Sequence, residues 1–252
     1  MNDDRMRRLA GLLIDARRAG TTLDTVPDDL VPADNDEAYT AQAITIAALG
    51  GSAGYKIGAR SPEAAPQFAA LPADKVMRNG ATLAFGAFAR VGLELEIAFR
   101  FGSVVDASFA SLDDTAILSR IATVHVTSEV VDSRYADFPK TPKLAQLADL
   151  QNNGALVVNE GVPYRDDLPY LEPTVAFRCG AHEIFKGPAR NPCGDPRRLV
   201  TWLVRDLLAR GRTIAAGDVL TCGSYTGCQF VQAGGAVSGT IDGIGEVNYT
   251  LA

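Results

Sequence analysis

The stretch from Gly92 to Phe101, GLELEIAFRF, limits what this chain can fold into more than any other. Apolar side chains fall at Leu93, Leu95, Ile97, Phe99 and Phe101, and Glu94 and Glu96 fall between them. Period two is the mark of a β-strand with two unlike faces. Residues two apart share a face, with Cα atoms about 6.5–7 Å apart. Carboxylates so placed repel unless one is protonated, a cation sits between them, or water screens both. The pattern therefore allows a solvated outer face of an edge strand, or a metal site of hard oxygen ligands.

A second alternating stretch, ATVHVTSEVVD, puts Val124, Val126 and Val130 on one face and His125, Thr127 and Glu129 on the other. Glu129 is a third acid on a polar strand face. His125 reads as a metal ligand or, more simply, as a hydrogen-bonded strand residue. Upstream, GYKIG sets Lys56 opposite Tyr55 and Ile57. Gly54 and Gly58 flank it and admit a close backbone or a ligand. Near the end, the Gly223–Gly227 turn, GSYTG, offers backbone N–H groups to an anion, or is a tight turn with no ligand.

Around these strands the chain predicts helices. The first carries Leu9, Leu12, Leu13 and Ala16 on one face, with Asp3 and Asp4 capping its start and Gly20 ending it. A second runs from about Asp36 to Leu49, and shorter ones from Asp113 to Ile121 and around Lys143 to Asp149. The clearest has Asp195 as N-cap, Pro196 at its first position and Gly211 at its stop. Its buried stripe is Leu199, Trp202, Leu203 and Leu207, with Trp202 expected in the core and away from any ligand. Residues 61–90 read as loop with short strands, and Gly217 to Leu251 as glycine-rich strands.

Composition removes several classes. A chain of 252 residues that is 47% hydrophobic supports one large domain, or one domain with a small appendage. A net charge of −6 argues against a general nucleic-acid binder. No apolar run is long enough to span a membrane, and the N-terminal segment lacks the apolar core of a secretory signal. Cys179, Cys193, Cys222 and Cys228 show no CxxC spacing, which predicts reduced, mostly buried thiols in a cytoplasmic protein. Two histidines and no GxSxG elbow make a nucleophilic triad a poor fit, and neither GxGxxG nor a GKS/GKT phosphate loop occurs. Three carboxylates without nitrogen or sulfur ligands favour Mg²⁺ or Mn²⁺ over Zn²⁺.

The order of these pieces resembles the 2-keto-4-pentenoate hydratase and 4-oxalocrotonate decarboxylase family of the fumarylacetoacetate hydrolase superfamily. The likeness rests on ExE followed about thirty residues later by the acid of SEVVDSRYADF, on AYTAQ at Ala38–Gln42, GYKIG, LADLQNNGA and AAGDVLTCGSYTG, and covers nearly the whole chain. It implies an α+β fold, with an N-terminal helical region (residues 1–53) and a larger domain of curled mixed sheets (residues 54–252). It implies that Glu94, Glu96 and Glu129 hold the divalent metal, that Lys56 is catalytic, and that Arg60, Ser61, Ser224 and Thr226 meet a small oxo-acid substrate. It also implies a homo-oligomer.

Two departures bear on the substrate. Relatives carry a GLTS-like turn after the lysine strand, where this chain has Ala59, Arg60 and Ser61; many also carry Asp-Met where this chain reads VMRNGATLAFG. The expected activity is hydration of a 2-hydroxy-2,4-dienoate, with decarboxylation as the nearest rival. A C–C hydrolase fits less well, because no histidine precedes His125. A metal-stabilised binding protein without chemistry is the non-enzymatic alternative.

Overall fold

The computed structural model describes residues 2–252. Among the described residues five α-helices are formed: α1 (Asn2–Ala19), α2 (Asn35–Ala48), α3 (Asp114–Leu118), α4 (Lys143–Ala148) and α5 (Arg197–Ala209). α1 is already helical at Asn2, so Asp3 and Asp4 lie inside its first turn and do not precede it; the Asp3 side chain is outside the described residues. α2 starts where Asp34 accepts the Glu37 N–H. α3 is capped in the same way by Asp113, and stops at Leu118 because Ile121 is taken into a strand beside Phe101. At α5, Pro196 occupies the cap position and Asp195 Oδ1 accepts the Arg197 N–H at 3.0 Å.

Two mixed sheets follow. The larger contains β1 (Ser52–Gly58), β2 (Gln67–Pro72), β3 (Val76–Arg78), β5 (Val91–Phe101), β6 (Ile121–Val131), β7 (Asn153–Val158), β8 (Val162–Pro163), β11 (Val219–Ser224) and β12 (Gln229–Val231). Its order is β2-β1-β11-β5-β6-β7-β3, with β12 beside β5 and β8 beside β6. The smaller contains β4 (Thr82–Leu83), β9 (Thr174–Cys179), β10 (His182–Pro188), β13 (Gly235–Ile241) and β14 (Gly245–Leu251), in the order β10-β9-β13-β14-β4.

The odd-numbered face of β5 turns toward the smaller sheet. Gly239 on β13 lies so close to Leu95 that a Cβ there would meet Leu95 Cδ1 at 2.3 Å. On the same face of β6, Ser128 Oγ bonds Tyr249 Oη of β14 at 3.0 Å. The apolar face of the alternation is thus the seam between the sheets. On its polar face Gly92, Glu96 and Ala98 are buried and Glu94 and Arg100 half-buried, and β5 has strand neighbours on both edges. The solvated edge-strand reading is thereby excluded.

α1 and α2 pack into the same core as the sheets, through Met6, Leu9, Leu13, Ala38 and Tyr39. Tyr39 stacks on Phe68 of β2 at 4.2 Å. Trp202 is half-buried, and tilts against Phe68 at 6.4 Å while Val200 and Val204 join Leu199, Leu203 and Leu207 on the covered face. Cys179, Cys193 and Cys222 are buried and Cys228 is half-buried; all four are free thiols.

The two glycines of GYKIG serve different ends. Gly54 (φ +141°) carries the parallel pairing of β1 with β11, and a Cβ there would sit 2.0 Å from the Val219 carbonyl oxygen. A Cβ on Gly58 would meet nothing within 4 Å. Gly54→Ala is therefore expected to destabilise by about 3 kcal/mol or more, and Gly58→Ala by less than about 1 kcal/mol. Chemical denaturation of the two variants checks this, and equal midpoints would contradict it.

Candidate metal centre

The polar face of the β5–β6 ladder gathers the three acids. The register sets Glu94 directly opposite Glu129 and Glu96 opposite Thr127. Directly opposed residues have Cβ atoms about 4.5–5.5 Å apart, and like charges there are destabilising without compensation. One carboxylate oxygen from each of Glu94, Glu96 and Glu129 lies within 4.8 Å of the other two. Among the described residues no other group of acids, histidines and cysteines converges in this way. Glu129 is fully buried, Glu96 is 2% exposed and Glu94 is half-buried.

Lys56 reaches the cluster from β1, two strands away. Tyr55 and Ile57 fill the core, which turns Lys56 to the acids' side, and its Nζ donates to Glu129 Oε1 at 2.6 Å and to the Gln151 carbonyl at 3.2 Å. Glu129 Oε1 also accepts from Asn153 Nδ2 at 3.0 Å. Thr221 Oγ1 donates to Glu96, and bonds the Thr127 hydroxyl at 2.8 Å.

The electrostatics call for a cation. Burial, then the neighbouring Glu129, pushes the Glu94 carboxyl up to about 7. Burial, then Glu129 and Glu94, pushes Glu96 up to about 8, against the pull of Lys56 and the Thr221 hydrogen bond. At Lys56 burial acts to lower the pKa, but Glu129, Glu94 and Glu96 together raise it above the ordinary lysine value. With all three carboxylates ionised, one ammonium leaves two negative charges, which one divalent ion would cancel. Glu129 Oε2 is buried and has no hydrogen-bond partner. Such an oxygen is costly unless something binds it. The donor set, all hard oxygen, suits Mg²⁺, Mn²⁺ or Ca²⁺.

The support of this cluster includes an unusual backbone. Leu150, Gln151 and Asn152 follow one another at φ +52°, +50° and +60°. L-residues in that region cost about 1–2 kcal/mol each. Fixed neighbours hold the turn. Buried Asp149 accepts from Arg17 Nη2 and from the Arg134 N–H, both at 2.8 Å, and Asn152 Nδ2 donates to Gln146 at 3.3 Å. The turn aims the Gln151 carbonyl at Lys56 and delivers Asn153 to Glu129.

A cavity of about 860 Å³ opens on Lys56 and Glu94. Arg60 and Ser224 line it, whereas Ser61 and Thr226 do not. Ser61 Oγ accepts the Ala64 N–H in a turn, and Thr226 Oγ1 accepts the Leu95 N–H. In the late turn the Tyr225 N–H donates to the Leu95 carbonyl and the Thr226 N–H to Ser224 Oγ, so these two groups are already used within the fold. His125 is buried away from the acids, between the Asn159 carbonyl and Thr123 Oγ1. Residues 76–86, where the expected acid is missing, line no part of the cavity. Sequence reasoning missed Asn153, Asn191, Phe138 and Lys143. Asn191 pins the bend at Gly223 by donating to the Cys222 and Gly223 carbonyls.

Known proteins share this arrangement of chain. The 2-keto-4-pentenoate hydratase 1 of Dechloromonas aromatica (strain RCB) is 27% identical over 255 residues, covering 96% of this chain and 95% of its own. A 4-oxalocrotonate decarboxylase from Pseudomonas sp. is 23% identical over 180 residues, or 71% of this chain and 68% of its own. The structure of 4-oxalocrotonate decarboxylase from Pseudomonas putida G7, complexed with magnesium and adipate, superposes with a TM-score of 0.83 at 19% identity, covering 99% of this chain and 98% of that one. The model of the fumarylacetoacetate (FAA) hydrolase C-terminal family matches residues 41–252, a span that contains Lys56, the three glutamates and both sheets. The chain belongs to the fumarylacetoacetate hydrolase C-terminal family.

Proposed function

We propose that the protein is a divalent-metal-dependent hydro-lyase that adds water to a 2-hydroxy-2,4-dienoate of the 2-oxo-4-pentenoate type, giving a 4-hydroxy-2-oxo acid. The observation that carries this reading is the Glu94–Glu96–Glu129 cluster with Lys56 salt-bridged to Glu129, of which Glu94 and Lys56 line a cavity large enough for a small acid. The relatives named as hydratases, which match over nearly the whole chain, support it.

Glu94, Glu96 and Glu129 would hold Mg²⁺ or Mn²⁺. The bound ion would supply positive charge to the C1 carboxylate and C2 oxygen of a chelating substrate, where negative charge develops. Lys56 stands beside that charge as an ammonium, and holds or donates a proton there. Val131, Phe138 and Leu147 give the carbon chain an apolar wall, and Ser224 and Arg60 offer polar contacts. A proton delivered to the diene's far end gives an enone, and water adds at its β-carbon. We read the protein as a cytoplasmic homo-oligomer working on free small acids, without nucleic acid or membrane.

A decarboxylase of the 4-oxalocrotonate type is the second reading, favoured by the backbone likeness to such an enzyme over 99% of the chain. Loss of dienol absorbance with Mg²⁺ but not with EDTA, and no CO₂ release, is the expected result. Stoichiometric CO₂ would move the assignment to the decarboxylase. Absence of turnover on both substrate types with Mg²⁺ and with Mn²⁺ would leave a metal-binding protein without this chemistry.

A further inference from the structure

The left-handed turn at Leu150–Asn152 is the part of the centre with the least local reason to form. Its three residues have φ +52°, +50° and +60°, and none is glycine. Yet it meets the site at two points. The Gln151 carbonyl accepts from Lys56 Nζ at 3.2 Å, and Asn153, which follows the turn, donates through Nδ2 to Glu129 Oε1 at 3.0 Å. Backbone of this kind persists only where its surroundings over-determine it.

Arg17, in the last turn of α1, reaches both flanks of the turn. On one side its Nη2 donates to the Asp149 carbonyl at 3.0 Å and to Asp149 Oδ1 at 2.8 Å. On the other its Nη1 donates to the Asn153 carbonyl at 3.0 Å. Other side chains hold the turn at one point each, Arg134 at Asp149 and Gln146 at Asn152. Among the described residues Arg17 is the one side chain that bridges the two ends. The Arg17 side chain is 7% exposed and that of Asp149 is 0% exposed, so water screens these charge-assisted bonds little. Burial pulls the Arg17 pKa down to about 10, against the pull of Asp149, and it stays charged at neutral pH. Arg17 lines no part of the cavity that holds Lys56, whereas Gln151 and Asn152 do. Its helix also precedes residues 41–252, the span that matches the family.

We propose that Arg17 is a positioning residue, whose guanidinium clamps the two ends of the turn so that the Gln151 carbonyl fixes the Lys56 ammonium. Helix α1 thereby becomes a working part of the catalytic centre, although it touches neither the cavity nor the acids' hydrogen bonds. The inference rests on the reading of Lys56 as a participant in the proposed reaction. The clamp needs a planar fork. A lysine at this position would supply a point charge, which cannot hold both flanks in fixed directions.

The test compares Arg17→Gln and Arg17→Lys with Leu9→Ala. Leu9 is a fully buried core residue of the same helix, eight positions from Arg17 and outside the turn. Turnover at saturating Mg²⁺ and substrate is expected to fall about ten- to hundredfold in Arg17→Gln, the cost of a reacting group displaced by about 1 Å or less. Arg17→Lys should stay well below wild type, despite its charge. Leu9→Ala should melt at a lower temperature yet keep wild-type turnover below that temperature. Two further readings do not depend on activity. Amide hydrogen exchange across residues 149–153, and labelling of the Lys56 amine by acetic anhydride, should both rise in the Arg17 variants and not in Leu9→Ala. If Arg17→Gln does not fold, Arg17→Lys carries the same comparison. Wild-type turnover in Arg17→Lys, or an equal loss in Leu9→Ala, would overturn the clamp. So would unchanged exchange and labelling in the Arg17 variants. A wild-type protein that turns over no dienoate would instead remove the hydratase reading, and the exchange and labelling results would then decide the clamp alone.

Discussion

Lys56→Ala is expected to fold and to bind Mg²⁺, yet to lose about 10²–10³ in turnover, the usual cost of removing one preorganised charged donor from a reacting centre. The fold should survive because the Lys56 backbone remains in β1, paired with Thr221 on one side and Ala69 on the other. Metal binding should survive because the three carboxylates stay in place, and Asn153 Nδ2 still holds Glu129 Oε1. Turnover should not, because the site loses its one buried ammonium, now 2.6 Å from Glu129. Mg²⁺ affinity within about tenfold of wild type, alongside the loss of turnover, separates this outcome from collapse of the site. Near-normal turnover at saturating Mg²⁺ and substrate would remove Lys56 from the chemistry.

The second large effect concerns the acid cluster and pH. Without metal, Glu94 and Glu96 are raised to about 7 and about 8, from an ordinary value of 4.5, by burial and by Glu129. Between about pH 4.5 and 8 the folded state thus binds more protons than the unfolded chain, and stability must fall as pH rises through that interval. A divalent ion bound by the three acids would replace those protons and reverse the trend. At a hundredfold excess over its dissociation constant it adds about 2.7 kcal/mol, or about 5–10 °C in Tm for a chain of this size. Thermal melts from about pH 5.5 to about 8.5, with EDTA and with Mg²⁺, should therefore diverge steadily as pH increases. Glu96→Gln should flatten the EDTA series and abolish the Mg²⁺ gain. Parallel EDTA and Mg²⁺ curves in the wild-type protein would show that no ion binds the three acids.

Much of the centre could be read from local pattern. Alternation alone assigned Glu94 and Glu96 to one face of β5, Glu129 to the polar face of β6, and Lys56 to the side opposite Tyr55 and Ile57. Strand periodicity carries that information because it depends on neighbours two residues away. The direct pairing of Glu94 with Glu129 was not legible, since register is set by contacts across strands. Ser61 and Thr226, which the resemblance implies as substrate contacts, lie outside the cavity lining, and their hydroxyls accept the Ala64 and Leu95 N–H groups. The Leu150–Asn152 turn contains no glycine, so nothing local announces its left-handed backbone. It is held by Arg17 and Arg134, which lie far from it in sequence. Lys143 and Phe138 enter the cavity from loops and short helices whose positions follow from packing alone.

The strand order has a kinetic consequence. β11, from the last fifth of the chain, lies between β1 and β5, pairing parallel to the first and antiparallel to the second. A chain emerging from the ribosome can close the β5–β6 hairpin early, but β1 and β5 keep open edges until residues beyond Val219 arrive. Such late, long-range insertion makes for slow folding and leaves two pairing-competent edges exposed meanwhile. Lys56 and the glutamates sit on opposite sides of that gap, so the acid cluster meets its lysine only when the final insertion takes place.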